Sequence, residues 1–127
     1  MSIELFPFEP YAKEECDRVK HALPEKKAGD VRFAFVTDFH YKYMRMMRTM
    51  ASNIVHTLNE LNDIQKIDFV CFGGDNVGNY PNSREEHIDM MQELADLMKY
   101  CNIPVIFVQG NHDDNSIHGE IAPETQK

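Results

Sequence analysis

Phe107-Val108-Gln109-Gly110-Asn111-His112-Asp113 is an apolar run that stops on a polar cluster. Pro104, Val105, Ile106, Phe107 and Val108 have the β-branched and aromatic character of a short buried strand. Gly110 carries no Cβ and lets the backbone turn sharply. Asn111, His112 and Asp113 follow at the carboxyl end of that strand, the edge at which open α/β sheets bind ligands. An amide oxygen, an imidazole and a carboxylate on one turn suit a metal or acid–base site. The plain alternative is a polar loop that only caps a strand.

The same pattern occurs twice upstream. Val31 to Thr37 reads as a strand whose apolar residues fall on both parities, so burial on both faces is expected, and it ends in Asp38-Phe39-His40. Ile67 to Phe72 reads as a second strand and ends in Gly73-Gly74-Asp75-Asn76. Between them, residues 43–61 carry Met47, Met50, Ala51, Ile54, Val55, Leu58 and Leu61 as one helical stripe. The methionines of this helix read as core filling rather than a soft-metal groove, and His56 as a surface or core-edge residue. A further helix is expected over residues 84–100, with Ile88, Met91, Leu94, Ala95 and Met98 on one face. Ser83 and Glu86 open it as a capping box, and His87 is assigned to solvent. The order β-α-β-α-β makes the chain an α/β protein with parallel strands and flanking helices, because such crossovers are almost always right-handed. All three strand ends then lie along one edge of the sheet. Asp38, His40, Asp75, Asn111 and His112 converge there.

The rest of the chain sets bounds. Residues 1–30 read as an amino-terminal extension, with Phe6, Pro7, Phe8, Pro10 and Tyr11 in an extended segment that packs on something. A helix over residues 11–23 uses Tyr11, Cys16, Val19 and Leu23 as apolar positions and is ended by Pro24. Residues 31–127 carry the domain. A net charge of -8 argues against a nucleic-acid backbone as partner, though not against a small phosphate ester held by metal. No stretch is apolar and long enough to span a bilayer. Three cysteines without zinc-ligand spacing, Cys71 being read as a small buried hydrophobe, suit a reduced, cytoplasmic setting.

Two carboxylates, an amide oxygen and imidazoles form a mixed oxygen and nitrogen set suited to manganese, iron, zinc or magnesium. Asp75, on the central unit, is placed to bridge two ions. Such ions can share a hydroxide and clamp a phosphoryl group during in-line attack. His112 can face the leaving oxygen as acid or as charge stabiliser. Asn76, Asn79 and Tyr80 are near enough to Asp75 in sequence to line a pocket, the plain reading being a loop. Asp113 and Asp114 either orient His112 or solvate the turn, and His118 could approach the metals or lie at the surface.

Asp38-x-His40, Gly74-Asp75-Asn76 and Gly110-Asn111-His112-Asp113, in this order at successive strand ends, resemble the first three motifs of the calcineurin-like metallophosphoesterases. The likeness runs over about residues 31–114. It implies two divalent metal ions (manganese, iron or zinc). Asp38 and His40 would bind the first, Asp75 would bridge, Asn111 would bind the second, and His112 would be the catalytic histidine. Asn76 and Asp113 would support the site or touch substrate. The implied reaction is hydrolysis of a phosphomonoester or phosphodiester by metal-bound hydroxide. The family's fold is a sandwich of two sheets with helices outside. Its later motifs, a lone histidine and then G-H-x-H, have no counterpart here; His118-Gly119 comes too soon after His112 and in the wrong order. The resemblance therefore implies the amino-terminal part of a domain, truncated before those histidines, with a sheet surface left bare for self-association. The competing readings are a binding or scaffold module of the same fold without catalysis, and a receiver-like domain with a phosphoacceptor Asp. The second gives Gly110-Asn111-His112-Asp113 no role.

Overall fold

Pro10 is the first residue of a helix, α1 (Pro10–Ala22), where its fixed φ suits the first turn and its missing N–H costs nothing. Leu23 then leaves the helix in an extended conformation, as a residue before proline must. Next come β1 (Phe33–Val36), α2 (Met47–Ile64), β2 (Phe69–Phe72), α3 (Arg84–Met98) and β3 (Val105–Phe107). This is a computed structural model, and it describes residues 3–41, 47–77 and 84–110. The Ser83 cap lies outside the described residues.

The three strands are parallel, in the order β1-β2-β3. Ala34, Val70 and Val105 stand side by side, as do Val36, Phe72 and Phe107. These rows face the helices. Val70 and Phe72 share a core with Met47, Ala51, Val55 and Leu58 of α2 and with Leu94 and Leu97 of α3. Phe72 stacks on Phe107 at 5.0 Å and meets the edge of Phe39 at 6.4 Å.

Among the described residues nothing covers the other face, contrary to the burial on both faces expected from the sequence. Phe33 is 55% exposed, Phe35 59% and Ile106 49%. Cys71, expected to be buried, lies partly exposed in the same row as Phe35 and Ile106. The reason is topological. When strand order follows chain order, right-handed crossovers place successive helices on the same side. α2 and α3 accordingly pack on each other and on one face.

The stripe of α3 also differs from expectation. Ile88 is 54% exposed, while Met90, Leu94, Leu97 and Met98 are buried and His87, expected in solvent, is buried with them. Two rows of apolar residues lie one position apart on this helix. The inner row begins with a histidine, so counting His87 as polar shifts the start of the row to Ile88, while Leu94 and Met98 are buried as expected.

The amino-terminal extension lies along α2. Ser52 and Asn53, buried polar residues on that helix, accept the Phe6 and Glu9 amides at 2.9 and 3.1 Å. The Asn53 amide group donates back to Glu9 at 3.0 Å. His56 lies at the core edge, with Nε2 2.9 Å from the Phe6 carbonyl and its ring stacked on Phe8. Lys13 and Lys20 both reach Glu60 at 2.8 and 2.9 Å and hold its carboxyl below the usual range. Tyr11, expected on the apolar side of α1, is exposed, whereas Cys16 is buried.

Candidate metal centre

Regular pairing of β1 with β2 ends at Val36 and Phe72, but the two chains stay joined. The Gly73 amide donates to the Val36 carbonyl, Asp38 to Gly74, His40 to Asp75 and Tyr41 to Asn76, at 2.7 to 3.1 Å. Tyr41 then pairs with Val77 in the register that Val36 keeps with Phe72. Between these points the backbone leaves the extended region. Asp38, His40 and Asp75 have φ of 53°, 52° and 49°, and they are the non-glycine residues of positive φ among those described. The left-handed region is uncommon for side chains with a Cβ. Strained residues cost on the order of 1–3 kcal/mol each and persist where their surroundings over-determine them.

The same three residues meet in space. One carboxylate oxygen each from Asp38 and Asp75 and one ring nitrogen of His40 lie within 4.8 Å of one another. That is little more than the span of two metal–ligand bonds of about 2.0–2.2 Å each. His40 Nε2 is 3.9 Å from the Asp38 carboxylate, too long for a hydrogen bond. The geometry suits donors gathered around a shared cation, and the donor set, two oxygens and one imidazole nitrogen, fits a borderline or hard divalent metal. Asp38 is largely exposed and the other two partly, so the cluster is open to a ligand from solvent.

The end of β3 packs closely against this cluster. Gly74, with φ of 114°, would place a Cβ 3.3 Å from the Cα of Gly110. A Cβ on Gly110 would collide with the backbone nitrogen and carboxylate of Asp75. Both glycines are therefore needed for the β2 and β3 ends to come together here. Asn111, His112 and Asp113 follow Gly110 directly in sequence and lie outside the described residues, as do Asn79, Tyr80, Asp114 and His118.

Asn76 is buried, and its amide group donates to the Val108 carbonyl at 2.8 Å. Two residues that the sequence reading passed over belong to the site's surroundings. The Thr37 hydroxyl donates to the second carboxylate oxygen of Asp38 at 2.8 Å. The Tyr41 phenol, fully buried, donates to Glu93 on α3 at 2.6 Å, and burial followed by Glu93 pushes its pKa well above the ordinary range. The available signal was position, since both flank Asp38-Phe39-His40 in sequence. An exposed threonine and a core tyrosine otherwise look ordinary.

No described helix is long and apolar enough to cross a membrane. No curated protein and no solved structure matches the chain closely enough for comparison. A family model does match, that of the calcineurin-like phosphoesterases, over residues 31–126. The match spans all three strands and the strand ends that bring Asp38, His40 and Asp75 together. The chain belongs to the calcineurin-like phosphoesterase family.

Proposed function

We propose that the carboxyl edge of the sheet binds divalent metal and that the site hydrolyses a phosphate ester, either a monoester or a diester. One observation carries this reading: the described non-glycine residues held in the left-handed backbone region are the ones whose ligand atoms meet. Strain of that kind has no use in a loop that merely caps a sheet, and it clusters at functional sites.

Asp38 and His40 would hold one ion, Asp75 would be shared with a second, and Asn111, following Gly110, would complete the second. Manganese, iron or zinc bound there supplies Lewis acidity and lowers the pKa of water at the site. The chain's own residues do the rest. The Thr37 hydroxyl engages one oxygen of Asp38, leaving the other free to ligate. The interlocked Gly74 and Gly110 bring the β3 end up to the Asp75 carboxylate. His112 would donate its ring proton to the leaving oxygen, as its place after Asn111 suggests. Bound cations also allow a chain of charge -8 to accept an anionic ester.

The test is elemental analysis of the purified chain after exposure to manganese, zinc and iron, beside Asp75→Ala, with aryl phosphate monoesters and diesters assayed in parallel. Near-stoichiometric metal that the variant loses, together with hydrolysis of either ester class that falls at least a hundredfold in the variant, is the expected result. A chain that binds no metal and hydrolyses neither ester would refute the enzyme reading. The scaffold reading would then stand, supported by the bare apolar face, which also suits self-association of this chain.

A further inference from the structure

Each of the two strand ends that carries a strained ligand residue shows the same arrangement one residue later. His40 is followed by Tyr41, which is 0% exposed, and Asp75 by Asn76, which is 1% exposed. Both side chains are polar, and each spans to a different element. Tyr41 donates its phenolic hydrogen to Glu93 on α3, and Asn76 donates its amide hydrogen to the Val108 carbonyl just past β3. Their backbones are tied to each other as well, since the Tyr41 amide donates to the Asn76 carbonyl at 2.9 Å. An ordinary core would place apolar residues at such positions, because a buried hydroxyl or amide is costly unless fully paired. A left-handed residue without a second constraint would relax towards the extended region. Here the residue after it is clamped by a directional bond.

We infer that Tyr41 and Asn76 are positioning residues, whose side-chain hydrogen bonds to Glu93 and Val108 hold His40 and Asp75 in the conformation that aims them at a common metal ion. The inference rests on the metal reading above. It adds that α3, which contributes none of the Asp38, His40 and Asp75 donors, sets the affinity of the site through Glu93.

The experiment titrates cobalt(II) into the full chain and into Tyr41→Phe, Asn76→Leu, Glu93→Leu and Glu93→Gln. It reads dissociation constant, visible absorption spectrum and thermal midpoint. Groups that orient ligands in this way typically change metal affinity by about 10–100-fold. Tyr41→Phe, Asn76→Leu and Glu93→Leu should each weaken binding by about that factor and alter the cobalt spectrum. Glu93→Gln keeps an acceptor for the tyrosine hydroxyl and should stay within about threefold of the parent, a ceiling set well under that range. Variants with a lowered midpoint but unchanged cobalt affinity and spectrum would reduce both residues to core contacts and overturn the inference. So would loss of the fold in Tyr41→Phe, since the hydroxyl would then be holding the core rather than the ligand. A parent chain that takes up no cobalt would sink the metal reading itself, and this inference with it. Cobalt bound equally by parent and variants sinks the inference alone.

Discussion

The two faces of the sheet are built from the same kinds of residue and meet opposite fates. Val36, Val70 and Phe72 lie under α2 and α3, while Phe33, Phe35 and Ile106, one position along each strand, face outward. Hydrophobicity does not distinguish the two rows. What distinguishes them is the strand order, which sends both crossovers to one side. A parallel sheet is ordinarily covered on both faces. Among the described residues the outward row is left exposed, and the inward row forms the packed core.

The sharpest way to break that contrast is to truncate one residue of the covered row. Phe72 is fully buried and packs on Phe39 and Phe107. Phe72→Ala should cost about 3–5 kcal/mol, the lost transfer energy together with the cavity left behind. Urea unfolding measures it directly. A loss under about 1 kcal/mol would mean that the covered face is not the stabilising one.

How much of this was legible in the sequence follows from the same contrast. Element order and parallel pairing were readable, because each strand is a short apolar run closed by a turn and each helix has a long periodic stripe. The gathering of Asp38, His40 and Asp75 followed from that topology alone. The bare face did not, because two-parity apolarity reports what could be buried and not what arrives to bury it. The row on α3 starts one position off, at Ile88, because the buried His87 interrupts its apolar character, while Leu94 and Met98 are legible as core. Docking of the amino-terminal extension through Ser52 and Asn53 was equally hidden, since both look like solvent-facing helix residues until their partners at Phe6 and Glu9 are known. The left-handed backbone at Asp38, His40 and Asp75 leaves only a faint mark in a sequence, since Asp and His enter that region more readily than most residues but far less distinctively than glycine.

The carboxyl edge is a third environment, polar and strained where the covered face is apolar and relaxed. Asp38→Gly tests the strain. Its side chain is 62% exposed, so removing the carboxylate forfeits little packing. At φ of 53° a glycine has no Cβ conflict to relieve. In metal-free buffer the variant should be more stable than the parent by about 0.5–1 kcal/mol, after allowing for glycine's greater freedom in the unfolded chain. It should also lose metal. A variant that is destabilised without metal would show that the Asp38 backbone is not under strain, and that local bonds such as the one from Thr37 dominate there.

The smallest expected change in stability belongs to the outward row. Phe35 and Ile106 flank Cys71 in one line across the bare face and are about half exposed. Replacing both with threonine puts a β-branched residue, which strands favour, at each position and removes two large apolar groups from the surface. Surface substitutions of this kind usually shift stability by no more than about 0.5 kcal/mol each, so the melting midpoint should barely move. Association should respond instead. The parent is expected to sediment as a self-associated species at micromolar concentration, because contiguous apolar residues exposed on a sheet face favour association. The double variant should sediment as a monomer. A parent that is itself monomeric and well dispersed would remove the case for self-association, although the asymmetry between the faces would stand. A double variant that unfolds would be more damaging, because the outward row would then hold the sheet together and the two faces would not differ in kind.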